Sequence, residues 1–135
     1  MPHEILDHTA DIGIKVYSDE PGTLFSDAAQ GLTGLLVSGE IEERETLGIS
    51  ICASTLEELF HDWLSEINYL ASVHGKLFRR FQVEIEGNRL RAICSGDTFR
   101  HEHHRYHTEI KAVTYHQLVV KKENGVWHAQ VFFDL

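Results

Sequence analysis

The chain has 135 residues, 42% of them apolar and 24% charged, with two cysteines and a formal net charge of −9. That length suits a single domain, residues 1–135, with a full hydrophobic core, and two cysteines are too few for a disulfide scaffold. The negative balance argues against direct nucleic-acid binding, because gripping a phosphate backbone takes neutralisation by Lys and Arg.

The charge is uneven. Residues 1–75 hold 14 acidic and 2 basic residues, a net −12, whereas residues 76–135 hold 7 acidic and 10 basic, a net +3. No apolar run reaches membrane-spanning length, and the start Met-Pro-His-Glu lacks a basic, apolar leader. With Cys52 and Cys94 read as reduced thiols, a cytoplasmic location is expected.

Residues 3–18 read as a strand pair or one bent strand, with Ile12, Ile14 and Val16 alternating with Gly13, Lys15 and Tyr17. The polar cluster Asp7-His8-Thr9-Ala10-Asp11 leads into it. It reads as turn chemistry, as a His8–Asp11 acid–base pair, or with Asp11 as an oxygen ligand on a rigid strand. A helix is expected after Pro21-Gly22, capped by Thr23, with Leu24, Phe25, Ala28, Ala29, Leu32, Leu35 and Leu36 on its apolar face. Gly31 and Gly34 weaken its far end, so it should stop before Ser38-Gly39. The acidic run Glu40, Glu42, Glu43, Glu45 reads as a solvated loop or strand edge, followed by an alternating strand through Leu47, Ile49, Ile51 and Ala53.

Ser54-Thr55-Leu56-Glu57-Glu58 carries a doubled capping-box signal, Ser54 with Glu57 and Thr55 with Glu58. The helix it opens has Leu56, Leu59, Phe60, Trp63, Leu64, Ile67 and Leu70 on one stripe and a stop at His74-Gly75. His61 and Asp62 fall off that stripe and should face solvent. Residues 81–94 form a hairpin turning at Gly87-Asn88, with Cys94 on the apolar phase, a packing residue rather than a redox one.

The stretch His101-Glu102-His103-His104-Arg105-Tyr106-His107 holds four of the ten histidines. A zinc site there would lack a cysteine and a supporting carboxylate beyond Glu102, so a mobile, partly protonated loop is the expectation. Thr108–Val120 reads as one long strand, turned at Asn124-Gly125 into the last one.

That last strand, Val126–Leu135, puts Trp127, Ala129, Val131 and Phe133 on one face and ends in Asp134 and Leu135. Two carboxylates held close together on a strand repel unless one is protonated or a cation lies between them. On residue chemistry alone two readings stand: an acidic residue solvating a frayed end, which is the commoner case, or oxygen ligands for a hard divalent cation. The pattern as a whole predicts an α+β fold in which two amphipathic helices pack on a largely antiparallel β-sheet.

Three motifs in order, His8-Thr9-Ala10-Asp11-Ile12-Gly13, Ile110-Lys111-Ala112-Val113-Thr114-Tyr115-His116 and the ending Trp127, Ala129, Val131, Phe132, Phe133, Asp134, Leu135, resemble the archease family over the whole chain. The resemblance implies a cytoplasmic accessory protein, not an enzyme, which activates the GTP-dependent RtcB-type RNA ligase of tRNA splicing and RNA repair. The activation it implies is promotion of ligase guanylylation and multiple turnover. It also implies a divalent metal, calcium or else magnesium or manganese, held by Asp11, Asp134 and Leu135. His8, Lys111 and His116 would then support the site or face the partner. Thr55 stands where the family usually has an acidic residue and Arg100 where it often has an aspartate, while His104 matches a frequent family histidine. Two rival functions stand beside it: a metal-dependent hydrolase that uses the same carboxylates with His8 as base, and a chaperone-like binding module that acts independently of Asp11 and Asp134.

Overall fold

The computed structural model describes residues 3–7 and 11–135. Strand β1 (His3–Asp7) pairs antiparallel with β2 (Asp11–Ser18), so the first stretch is a strand pair. Helix α1 (Pro21–Leu36) leads into the short β3 (Val37–Ser38), and β4 (Glu45–Cys52) precedes α2 (Leu56–His74). The long hairpin β5 (Lys76–Glu86) and β6 (Arg89–Thr98) follows, then the two-residue strands β7 (Arg105–Tyr106) and β8 (Ala112–Val113). The chain closes with β9 (Val119–Glu123) and β10 (Val126–Asp134).

One sheet runs β1-β2-β10-β8, with β9 also paired to β10; a second runs β4-β6-β5; β3 and β7 form a small third. Every strand pair is antiparallel. The expected α+β architecture is the observed one. Helix α1 touches both large sheets and α2.

The core follows from the two periodicities. Ile12, Ile14 and Val16 lie opposite Phe133, Val131 and Ala129, so one face of β2–β10 is apolar along its length. Leu24, Phe25, Ala28, Ala29, Leu32 and Leu36 are the buried stripe of α1, and Leu59, Phe60, Trp63, Leu64, Ile67 and Ala71 that of α2. The two helices meet through Phe25 and Phe60, edge to face at 5.0 Å, and through the Trp63 indole N–H, which donates to the Phe25 carbonyl at 2.9 Å. Among the described residues no helix is long and apolar enough to cross a membrane.

Helix α1 starts two residues before the expected cap. Glu20 is the N-cap, without a side-chain cap bond, and Pro21 opens the first turn. Proline wins here because its fixed φ already suits a first helical residue and its missing N–H costs nothing there. In α2 the Thr55 register prevails over Ser54: the Thr55 hydroxyl accepts from the Glu58 N–H at 3.1 Å. The Glu58 carboxylate in turn accepts from the Ser54 N–H at 3.0 Å. Gly75 ends the helix in the left-handed region at φ 66°. Both hairpin tips are where expected, Asn124-Gly125 with both residues at positive φ, as a type I′ turn demands.

The expected long strand 108–120 is not formed. Only Ala112–Val113 pair with β10, a turn at His116-Gln117 with Gln117 at φ 52° lifts the chain away, and pairing resumes at Val119. The Thr114 N–H and hydroxyl both donate to the Phe132 carbonyl at 3.0 Å, the last contact in register before the turn. Ahead of the break, α2 takes over the role of a neighbouring strand. Asn68 donates to the Ile110 carbonyl at 3.0 Å, His61 Nε2 to that of Val113 at 2.8 Å, and the Tyr106 hydroxyl to that of Ala71 at 2.8 Å. Buried main-chain carbonyls need partners, and side chains supply them where no strand does.

Replacing Thr55 by Ala removes the α2 cap bond and should lower stability by about 1 kcal/mol, whereas Thr55→Asp, which can still cap, should stay within a few tenths of that. Urea unfolding midpoints of the two variants against wild type measure both.

Candidate functional site

Strands β2 and β10 set the start of β2 beside the end of β10. In their register Asp134 lies directly opposite Asp11, and Phe132 opposite Gly13. Residues 11, 13 and 15 share the sheet face turned away from α1 with residues 134, 132 and 130. Directly opposed residues in such a pair have Cβ atoms about 4.5–5.5 Å apart, and like charges there are destabilising.

Gly13 holds this register. A Cβ at that position would meet the Phe132 ring at 2.7 Å and the Val131 carbonyl at 2.9 Å. The Phe132 side chain is 2% exposed although it points away from the main core, because its ring occupies the room the glycine leaves.

Asp134 is exposed and Asp11 half-buried. Asp11 Oδ1 is shut off from water and has no hydrogen-bond partner among the described residues. A shielded carboxylate oxygen ordinarily has one, since an unmet buried acceptor costs roughly 1–3 kcal/mol. An orphan oxygen opposite a second carboxylate suits a hard cation, which takes oxygen ligands and offsets the repulsion. Leu135 follows Asp134 directly and is 42% exposed, so its main-chain oxygens lie near the same end of the strand. No group of three His, Cys, Asp or Glu side chains is gathered for a metal among the described residues. Among the described residues, the side-chain carboxylates set opposite each other at this strand end are those of Asp11 and Asp134.

The other expected site residues fall around this pair to different degrees. Lys111 is exposed, and its N–H donates to the Asp134 carbonyl at 2.8 Å, so its backbone ties the strand end. His116 is exposed, with its ring 5.9 Å from that of Phe132. His8 lies outside the described residues.

His61 and Asp62 do not simply face solvent. His61 Nδ1 lies 3.0 Å from Asp62 Oδ1, its Nε2 reaches Val113, and its ring stacks on Tyr115 at 4.1 Å with planes 11° apart. This cluster ties α2 to the strand that flanks Asp134. Its sequence signal is a second, polar stripe on α2, His61, Ser65, Asn68 and Ser72, at helical spacing beside the apolar one.

The histidine-rich stretch is a turn at 101–103 followed by β7. Far from being a loose loop residue, His104 is buried, accepting at Nδ1 from the Arg100 N–H at 2.9 Å and donating from Nε2 to the Glu40 carbonyl at 2.9 Å. Both ring nitrogens are thereby used in joining two loops. Arg100 pairs with Asp97 at 3.2 Å, and Arg44 reaches the same carboxylate at 3.3 Å. Burial raises the Asp97 pKa, but the Thr98 N–H and the two guanidinium groups outweigh it and hold the carboxyl below its usual range. Cys94 is packing, as expected: burial pushes its thiol up to about 12.

A carboxyl with a lowered folded-state pKa adds stability above its unfolded value, which is lost as pH falls through the folded value. Asp97 should therefore steepen acid unfolding below about pH 4. In Asp97→Asn the stability-versus-pH curve from urea titrations should be lower at neutral pH and flatter on that acid limb.

The model of the Archease protein family matches residues 3–135. A protein archease of Methanopyrus kandleri is 38% identical, the match covering 100% of both chains. One of Methanosarcina mazei is 41% identical over 98% of this chain and 95% of that protein. The solution structure of Methanobacterium thermoautotrophicum protein 1598 superimposes with a TM-score of 0.86 at 29% identity, covering 99% of each chain. The crystal structure of a Thermotoga maritima archease, described as a possible chaperone, shares the fold with a TM-score of 0.60 at 22% identity, over 96% of this chain and 94% of that one.

Proposed function

The chain belongs to the archease family, and from that premise we propose that it is an accessory protein that activates the RtcB-type RNA ligase rather than an enzyme in its own right. It promotes guanylylation and repeated turnover of the ligase, and so serves tRNA splicing and RNA repair. The observation that supports this reading is the buried Oδ1 of Asp11, unpartnered among the described residues, on a residue directly opposite Asp134.

In this reading Asp11 and Asp134 hold a divalent cation, calcium before magnesium or manganese, and the main-chain oxygens of Leu135 complete the set. A bound divalent ion supplies a fixed positive charge that offsets phosphate charge during phosphoryl transfer. The chain's own part is positional. The paired strands keep the two carboxylates at the exposed end of the sheet, within reach of a partner, and the Lys111 N–H pins the backbone of Asp134. With a net charge of −9 the protein meets the ligase rather than the RNA. Lys111 and His116 border the pair and are the side chains placed to touch that partner.

Calcium at a hundred times its Kd should stabilise the wild type by about 2.7 kcal/mol. Asp11→Asn and Asp134→Asn should unfold cooperatively with no calcium-dependent shift, and should fail to stimulate guanylylation and multiple-turnover ligation by the purified ligase. Stimulation equal to wild type in both variants would overturn the site. Turnover of phosphoesters by the purified protein alone would favour a hydrolase instead.

A further inference from the structure

We propose that the free edge of β4, together with the acidic flank of α2, is a docking groove for an extended peptide with Lys or Arg at alternate positions. The groove is on the second sheet, and its occupancy needs neither Asp11 nor Asp134.

Strand β4 is an outer strand of β4-β6-β5. Its register with β6 is unbroken from Glu45 opposite Gly96 to Cys52 opposite Arg89. The Ala53 N–H donates to the Asn88 carbonyl at 3.0 Å. Bonded and unbonded pairs alternate along an antiparallel ladder, so Ile51, Ile49 and Leu47 spend their main-chain groups on β6. The N–H and C=O groups of Gly48, Ser50 and Cys52 then point the other way. Among the described residues no backbone or side-chain partner meets them, and all three residues are exposed.

An edge of this length is normally blunted by a proline, a bulge, a covering loop or charged side chains. Here Gly48, Ser50 and Cys52 carry no charge and no proline, and the register has no bulge.

Beside the edge runs a cavity of about 560 Å³ between β4 and α2. Its floor is apolar, Leu47, Ile49, Ile51 and Leu70, and its far wall is acidic, Asp62 and Glu66 one helical turn apart. Leu47 is 38% exposed, and Glu66 has no ion-pair partner among the described residues. A strand added to this edge would bond to Gly48, Ser50 and Cys52 and point every second side chain over that floor. Lys and Arg suit those positions, since their stems lie on apolar surface while their charged ends reach the carboxylates of α2.

The test uses the full chain, isotopically labelled for amide NMR, titrated with a blocked peptide of alternating lysine and threonine. Amide shifts should centre on Gly48, Ser50 and Cys52 and be unchanged in Asp11→Asn. Glu66→Lys should weaken binding about tenfold, the loss of one favourable charge contact and gain of a repulsive one. The same peptide N-methylated at the amides that face β4 keeps the charge but cannot extend the sheet, and should not bind. The inference is overturned by no binding, by equal binding of the methylated peptide, by shifts centred elsewhere, or by an affinity that Glu66→Lys leaves unchanged.

Discussion

The antiparallel contact between Gly13 and Phe132 is the constraint on which the outer face of the larger sheet depends. A ring lying over a glycine admits one register between β2 and β10, because any side chain at position 13 would strike the ring or the Val131 carbonyl. A slip by one residue would send Ile12, Ile14 and Val16 to the solvent side and the polar residues into the core. The same register that buries the apolar face sets Asp11 opposite Asp134. The carboxylate pair is thus held in place by the energetics of the core, not by contacts of its own.

Helix α2 does two jobs with two stripes. Its apolar stripe packs on α1 and the sheets, while His61 and Asn68 of its polar stripe tie down Val113 and Ile110 and its Ala71 carbonyl accepts from the Tyr106 hydroxyl. That segment has few strand partners, so without Asn68 and His61 its carbonyls would be left unmet in a partly buried setting. Val113, bonded to His61 of the helix, is paired in the sheet with Phe133, next to Asp134. The third flank of α2, Asp62 and Glu66, is left open toward β4. One helix therefore contributes to the core, to the support of the carboxylate pair and to the wall of the peptide groove.

The uneven charge of the sequence also finds its place. Acidic residues 42, 43 and 45 are drawn to the basic second half of the chain or to each other's neighbours: Glu43 pairs with Arg80 at 3.1 Å and Glu45 with Lys76 at 2.8 Å. Such exposed pairs contribute little to stability, at most about 1 kcal/mol each. Asp11, Asp134 and Glu66 have no cationic partner among the described residues, whereas Asp62, the other carboxylate of the proposed groove wall, is paired with His61 at 3.0 Å.

By itself the sequence determined the elements whose signals are local. The alternation of β10 and β2, the apolar stripes of both helices, the Thr55–Glu58 box, the Gly75 stop and the two hairpin tips each depend on residues within a few positions of one another. Only the tertiary structure decided what distant segments do to each other. The strand expected over Thr108–Val120 is interrupted by the turn at His116-Gln117, and before it side chains of α2 meet the main chain. His104 is fixed by a carbonyl at Glu40, His61 is drawn inward by Val113 and Tyr115, and the opposition of Asp11 to Asp134 needs a pairing across nearly the full chain. Periodicity reports which face of an element is apolar; it carries no information on which main-chain groups will lack a partner until the other elements are in place.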